Sequence, residues 1–342
     1  MSDIEITGNY EHLFELGTGS YGVVARYKHK RTGIHVAIKA IQKSKSVPQY
    51  LTTEINALKE LSHPNICQLY QVVDNPHYVY LVMELCPNRN LKEYIRSRGK
   101  LTEVYAQKIF RQIVSAVDYI LDKGYCHRDI KPHNVVLDSN MGVKLIDFGM
   151  AIEVAKVTES GVRVSGTLPY MSPEALKGGK YDLEKADMWS LGVTLYEMLT
   201  SKKPFTHHTV SGLKVQIALG IYKTYSYLST MTYLLIRQLI EKDPTKRISC
   251  KDLVDHPWLN PRHINAEAPA DRLDKEHLDE QCIKKMSRHF RVKQKEMRDM
   301  VAEWKFDHIT ASYILTLEKM KSGSESTCCF NFASLFRFCV RK

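Results

Sequence analysis

Apolar and polar positions change period several times along this chain, and each change marks an element. His12-Leu13-Phe14-Glu15-Leu16 and Val23-Val24-Ala25-Arg26-Tyr27 are short β-prone runs on either side of a glycine-rich stretch, which predicts strand, turn and strand. Val36-Ala37-Ile38-Lys39 reads as a third strand. Between Tyr50 and Leu61 the period lengthens. Leu51, Ile55, Leu58 and Leu61 recur at helical spacing and predict one amphipathic helix. No apolar run reaches eighteen residues, so no segment is a candidate to span a membrane.

After residue 259 the pattern changes again. Residues 260–272 carry prolines and little apolar periodicity, the composition of a linker. Leu278, Cys282, Ile283 and Met286 then repeat as one helix, Met297, Met300, Val301 and Trp304 as a second, and Ala311, Ile314, Leu315 and Leu317 as a third. A unit as small as 273–320 has little core of its own and is expected to dock on the larger domain. Residues 321–342 read as a flexible stretch followed by an aromatic tail bearing Cys328, Cys329 and Cys339.

Candidate chemistry sits on these elements. Gly17, Gly19 and Gly22 lie in the string Gly17-Thr18-Gly19-Ser20-Tyr21-Gly22-Val23-Val24, where missing side chains would let backbone amides fold over phosphates and Val24 would cover a base. A dinucleotide-binding turn is the rival for such a triad, but it opens a helix, whereas β-prone sequence follows Gly22. Lys39, on an apolar strand, needs an anionic partner, and Glu54 on the predicted helix is the candidate. Asp129, Asn134 and Asp147 place a base and two oxygen-bearing metal ligands in one short stretch.

These strings occur in an order that carries more weight than any one of them. His127-Arg128-Asp129-Ile130-Lys131-Pro132-His133-Asn134 is followed by Asp147-Phe148-Gly149, then Gly166-Thr167-Leu168-Pro169-Tyr170-Met171-Ser172-Pro173-Glu174, then Asp187-Met188-Trp189-Ser190-Leu191-Gly192. With the glycine triad and Lys39 ahead of them, residues 10–259 resemble a protein kinase catalytic domain. The resemblance implies an α+β, two-lobed fold with a β-rich N-lobe at 10–84 and a helical C-lobe at 87–259. It implies ATP and Mg2+ as cofactors. Leu16, Gly17, Thr18, Gly19, Ser20, Tyr21, Gly22, Val23, Val24 and Ala37 would surround the nucleotide, and the backbone of Glu84 and Cys86 would pair with adenine. Lys39, held by Glu54, would grip the α- and β-phosphates. Asp129 would be the base, Lys131 would face the transferring phosphoryl group, and Asn134 and Asp147 would hold magnesium. Asp187 would brace the catalytic loop, and Glu174 would pair with Arg247. Lys131 and Thr167 are features of the serine/threonine kinases, so the implied substrates are proteins with serine or threonine acceptors.

A second resemblance begins at Trp304-Lys305-Phe306-Asp307-His308-Ile309-Thr310-Ala311-Ser312-Tyr313-Ile314-Leu315, with Cys282-Ile283 upstream. It is similar to the three-helix, ubiquitin-associated-like segment behind the catalytic domain in the calcium/calmodulin- and AMP-activated-kinase-related group, most of all in the family of maternal embryonic leucine zipper kinases. This resemblance implies a segment that docks on the kinase domain, supporting and regulating it, and a role in cell-cycle or cell-division signalling. The turn within residues 287–292 lacks the glycine-containing loop of ubiquitin binders. Two departures matter. Arg163 stands where the family has an activating threonine, which leaves Thr158, Ser160 and Ser165 as candidates for a phosphate that Arg128 could meet. Asn90 and His133 stand where arginine-directed kinases carry glutamates, so a weaker preference for upstream arginine is expected.

Composition alters this picture little. The 342 residues leave room for a two-lobed domain of roughly 250 residues and something smaller. The formal charge of +11 invites a nucleic-acid reading, but no nucleic-acid-binding signature is present and much of the charge lies between Lys284 and Arg298, as on a solvated helix face. The eight cysteines show no zinc-ligand spacing, and Cys67, Cys86, Cys126 and Cys250 are expected as reduced thiols within predicted elements. Met1-Ser2-Asp3-Ile4-Glu5 is not a signal peptide. The expected location is cytoplasmic, with the nucleus or the plasma-membrane periphery as further sites. Acylation of Cys328 or Cys329 would give the tail membrane contact, while Arg341 argues against prenylation at Cys339. A pseudokinase scaffold and a ubiquitin- or membrane-binding adaptor remain as the other function classes.

Overall fold

The β-prone runs and the helical period of the first hundred residues resolve into one twisted sheet and a helix beside it. A computed structural model describes residues 2–19, 22–86, 89–137, 142–159, 161–259 and 273–321. Ser20, Tyr21, Ser160, the expected linker at 260–272 and the tail after Lys321 lie outside the described residues. A helix α1 (Ser2–Asn9) leads into strands β1 (Tyr10–Gly19), β2 (Gly22–His29) and β3 (His35–Gln42), then helix α2 (Pro48–Glu60) and strands β4 (Leu69–Asp74) and β5 (Tyr78–Glu84). The five strands form one antiparallel sheet in the order β1-β2-β3-β5-β4. Gly22 is required there for a reason its phosphate-facing role did not suggest: a Cβ would lie 1.8 Å from the Ala40 carbonyl oxygen on β3.

The C-terminal part of the domain is mostly helical. It runs through α3 (Leu91–Arg98), α4 (Glu103–Asp122), the short strands β6 (Tyr125–Cys126), β7 (Val135–Leu137), β8 (Val143–Leu145) and β9 (Ile152–Glu153), then α5 (Pro173–Lys177), α6 (Leu183–Thr200), α7 (Val210–Leu219), α8 (Thr230–Leu239) and α9 (Cys250–Val254). Helix starts carry polar caps: Asn90 accepts from the Glu93 amide at 2.9 Å and Asp182 from the Lys185 amide at 3.0 Å. Helix α6 is buried along almost its whole length, so its sequence shows no polar face. Arg247 is clamped beside it, its guanidinium on both oxygens of Glu174 at 2.5 and 3.1 Å and its plane over Trp189.

Helices α10 (Glu280–Phe290), α11 (Gln294–Ala302) and α12 (His308–Lys321) form the small unit behind the kinase-like domain. Their bounds correct the periodic reading in two places. Leu278 precedes α10, and Trp304 lies past the end of α11 at φ 45, with Phe306 also left-handed at φ 55. Leu61 likewise caps α2 and is not inside it. The glycine-free turn after α10 is made by Arg291, which takes φ 56 itself.

The unit packs on the sheet through shared core. Along β3, Val36 and Ile38 join Tyr70, Val82, Ile283, Met286 and Ile314 in one buried cluster, while the alternate residues Ala37 and Lys39 face the opposite side. Polar contacts fix the register. The Val72 amide donates to the Phe306 carbonyl at 2.8 Å, Arg31 donates to the Ser312 carbonyl and the Thr316 hydroxyl at 2.6 and 2.7 Å, and Lys319 donates to the Thr32 carbonyl at 2.8 Å. The helix α1, which no periodic signal predicted, enters the same cluster through the 3 % exposed Ile6.

His29 lies in this buried region, bonded to Thr32 at 2.8 Å, and burial, reinforced by Arg31, His289 and His308, pushes its imidazole down to about 4. The unfolded chain therefore binds a proton near pH 6.5 that the native chain refuses until about 4, so stability falls as pH drops through that window. Denaturant unfolding is expected to show a loss of about 2 kcal/mol between pH 7 and pH 5, and a smaller loss in His29→Gln. An equal pH dependence in both proteins would remove His29 as the cause.

Candidate active site

The cavity between the sheet and the helical part begins with a lysine in the middle of β3. Lys39 donates to Glu54 Oε1 at 2.6 Å and lies 3.7 Å from Asp147 Oδ1. Burial works to lower its pKa, but the two carboxylates prevail and hold the ammonium above its ordinary value. Glu54 comes from α2, and Asp147 from the loop after β8, so one cation is shared by groups from both parts of the domain. Asp147 takes a left-handed φ of 67, unusual away from glycine, and the next residue, Phe148, is fully buried against the His127 ring.

These residues line a cavity of about 300 Å³. Of the positions singled out in the sequence, Leu16, Gly22, Val24, Ala37, Lys39 and Glu54 border it from the N-lobe side, and Glu84, Cys86, Asn134 and Asp147 complete it. Gly17 and Val23 do not border it, and the side chains of Thr18 and Gly19 are outside the described set. Leu58, Cys67, Met83, Leu85, Val136 and Ile146 were missed. Four had a local signal, since Leu58 belonged to the helical repeat, Met83 and Ile146 directly precede Glu84 and Asp147, and Leu85 lies between Glu84 and Cys86. Nothing local marked Cys67. It lies in a loop, as does Cys86, which corrects their placement within elements, and a hydrogen bond with Cys86 together with burial raises its thiol well above the usual range. Cys126 and Cys250 do fall in elements, in β6 and α9.

Asn134 connects the cavity to the catalytic string. Its amide nitrogen donates to the Asp129 carbonyl at 2.9 Å and to Asp129 Oδ2 at 3.1 Å, so its amide oxygen is the atom it can offer a cation. Asp129 accepts further from Lys131 Nζ at 2.6 Å and from the Thr167 hydroxyl at 2.7 Å, and Lys131 also reaches that hydroxyl at 2.6 Å. Asp187 Oδ2 and Oδ1 accept from the amides of His127 and Arg128 at 2.8 and 2.9 Å. Burial pushes the Asp187 carboxyl upward, while His127 and these donors pull the other way. The bonds hold Arg128 at φ 64 and fix the loop from behind.

Of the activation-segment candidates, Ser165 accepts from the Arg128 guanidinium, which also bonds the Arg163 carbonyl at 2.7 Å. Thr158 forms a bridge with Gly161 in the turn beside it. Gly166 is at φ 109, and a Cβ there would lie 2.8 Å from the Arg128 carbonyl oxygen.

The donor set suits magnesium. One carboxylate, Asp147, and one amide oxygen, Asn134, are hard ligands of the kind that leave other positions to phosphate oxygens and water. Among the described residues there is no group of three or more His, Cys, Asp or Glu that could hold a metal by itself. No described helix is long and apolar enough to cross a membrane.

Residues 10–259 match the family model described as protein kinase domain, and residues 278–320 match the one described as maternal embryonic leucine zipper kinase, UBA domain. Among named relatives, the maternal embryonic leucine zipper kinase of Xenopus tropicalis is 37 % identical over 94 % of this chain and 50 % of its own length. That of Danio rerio is 35 % identical over 94 % of this chain and 48 % of its own. Sperm motility kinase 2A of Mus musculus is 34 % identical over 91 % and 61 %. The chain thus spans about half the length of the zipper kinases it matches. With the kinase model matched over residues 10–259 and a fold of two lobes around a lysine, two metal-capable residues and an aspartate, the chain belongs to the protein kinase family.

Proposed function

We propose that this chain transfers the terminal phosphoryl group of ATP to serine and threonine hydroxyls of proteins. The observation that carries the reading is the convergence of Lys39, Glu54 and Asp147 in a cavity that Asn134 joins to Asp129. A pseudokinase would be expected to lack at least one of these contacts.

In this reading Lys39 holds the α- and β-phosphates while Glu54 fixes its ammonium. Asn134 and Asp147 hold magnesium, which when bound neutralises charge on the phosphates. Asp129 takes the proton from the acceptor hydroxyl as that oxygen bonds to the γ-phosphorus. The bond to the β–γ bridging oxygen breaks and ADP leaves. Lys131, already shared between Asp129 and Thr167, stabilises charge on the moving phosphoryl group. Arg128 is occupied by the Arg163 carbonyl and Ser165, contacts that support a segment ordered without a phosphate at position 163. The appended helices cover the sheet face behind β3 and thereby support the lobe that carries Lys39. The likeness to the maternal embryonic leucine zipper kinases extends the reading to cell-division signalling in the cytoplasm.

The test is transfer from Mg·ATP to a general protein acceptor. Lys39→Met is expected to lower turnover by about 10²- to 10³-fold, with Asp147→Asn similarly impaired and the C-lobe still folded by near-UV circular dichroism. Normal turnover in Lys39→Met would defeat the assignment. Phosphatase-treated protein is expected to stay active, and the triple variant Thr158→Ala, Ser160→Ala, Ser165→Ala to remain within about tenfold, the range for one lost hydrogen bond at Ser165. A collapse to the level of Asp147→Asn would show that phosphate on this segment is obligatory.

A further inference from the structure

The ground beside the catalytic loop carries positive charge where arginine-directed kinases carry negative charge. Asn90 and His133 replace glutamates there, and Asn90 is engaged as the cap of α3. Helix α3, which bears Lys92, packs on the turn at 132–134, and the carboxylate that Lys92 meets, Glu197, is already committed. Glu197 is fully buried, with Lys92 Nζ bonded to Oε1 and the Tyr170 hydroxyl donating to Oε2 at 2.5 Å. Lys92 thus sits on the anion that a substrate guanidinium would need.

Two further cations lie next to this pair. Lys203 Nζ is 5.5 Å from the centre of the Tyr170 ring, and Lys131, two residues before His133, reaches Asp129 Oδ2 at 2.6 Å. The patch adjoins the acceptor site. Tyr170 closes the turn that starts at Thr167, its amide on the Thr167 carbonyl at 2.9 Å, and Thr167 touches the Asp129 carboxylate.

We infer that Lys92, Lys203 and the glutamate-free rim at Asn90 and His133 make this chain select acceptors preceded by acidic residues and disfavour those preceded by arginine. The inference rests on the kinase reading above and names the substrate class for it. Upstream aspartate or glutamate gains the half-buried Lys203 and the partly exposed edge of Lys92. Upstream arginine meets like charge and a carboxylate that already has its partner.

The experiment measures kcat/KM of the full chain with Mg·ATP on serine peptides that carry Glu, Ala or Arg at the three positions before the acceptor. Histone and casein serve as basic and acidic protein acceptors. Exposed pairs of this kind support a Glu-over-Arg ratio of about tenfold at low ionic strength, shrinking to about twofold in 0.5 M salt as screening shortens. Lys92→Met exposes Glu197 to a substrate cation, so arginine peptides gain. Because that variant leaves a buried carboxylate unpaired, Lys203→Glu provides a second test: it uncovers no buried charge and lowers or inverts the same ratio. A wild-type preference for arginine, or a ratio that neither salt nor Lys203→Glu moves, overturns the inference while leaving the kinase reading intact. No phosphate on any peptide, histone or casein overturns both.

Discussion

One buried cation sets the terms for the site. Lys39 projects from the centre of a sheet into an apolar cavity, where burial by itself lowers its pKa. Glu54 and Asp147 reverse that, and each comes from a different element, α2 and the loop after β8. The ammonium therefore ties the sheet, the helix beside it and the metal-capable loop to one point. Removing Glu54 would leave the ammonium without its buried partner, at a cost of about 3–5 kcal/mol for a buried pair, whereas Asp147, partly exposed and 3.7 Å away, contributes less. The strain at Asp147, held at positive φ, is sustained by the same contact and by Phe148 buried beneath it.

The catalytic string is held by a different device. Its charged side chains face Thr167 and the cavity, and its backbone is pinned from behind by Asp187 on a helix that is buried almost throughout. Arg247 and Glu174 lock the end of the activation segment to that helix through a bidentate pair stacked on Trp189. Precision at Asp129 thus comes from α6, a rigid element outside the cavity. Lys92, Glu197 and Tyr170 extend the same logic to the rim, where a buried carboxylate is matched by the chain's own lysine.

The appended helices solve a problem of the sheet. Its period-two pattern puts Ala37 and Lys39 on the cavity and Val36 and Ile38 on the reverse, and that reverse face has to be covered. Helices α10 to α12 cover it with Ile283, Met286 and Ile314, and a main-chain hydrogen bond from Val72 to Phe306 sets the register. Neither partner has a full core there without the other, which couples the stability of the appendage to the lobe that carries Lys39.

Much of this was written into short-range order. Lys39, Asp129, Asn134 and Asp147 were legible because the chemistry demands those residue types, the strands around Gly22 because their residues are β-prone, and helices α10 and α11 because burial of one face leaves a period of 3.6. What stayed hidden shares a physical cause: it depends on faces brought together from distant segments. Helix α1 gave no periodic signal although Ile6 is driven inward, and Trp304 reads as helical until its left-handed φ is seen. The Cys67–Cys86 contact, the cavity wall at Val136 and the pairing of Lys92 with Glu197 follow from packing alone. Residue type and local spacing specify which groups a chain brings to its chemistry. Only close packing of remote elements, where burial makes each charge choose a partner, decides which of them meet.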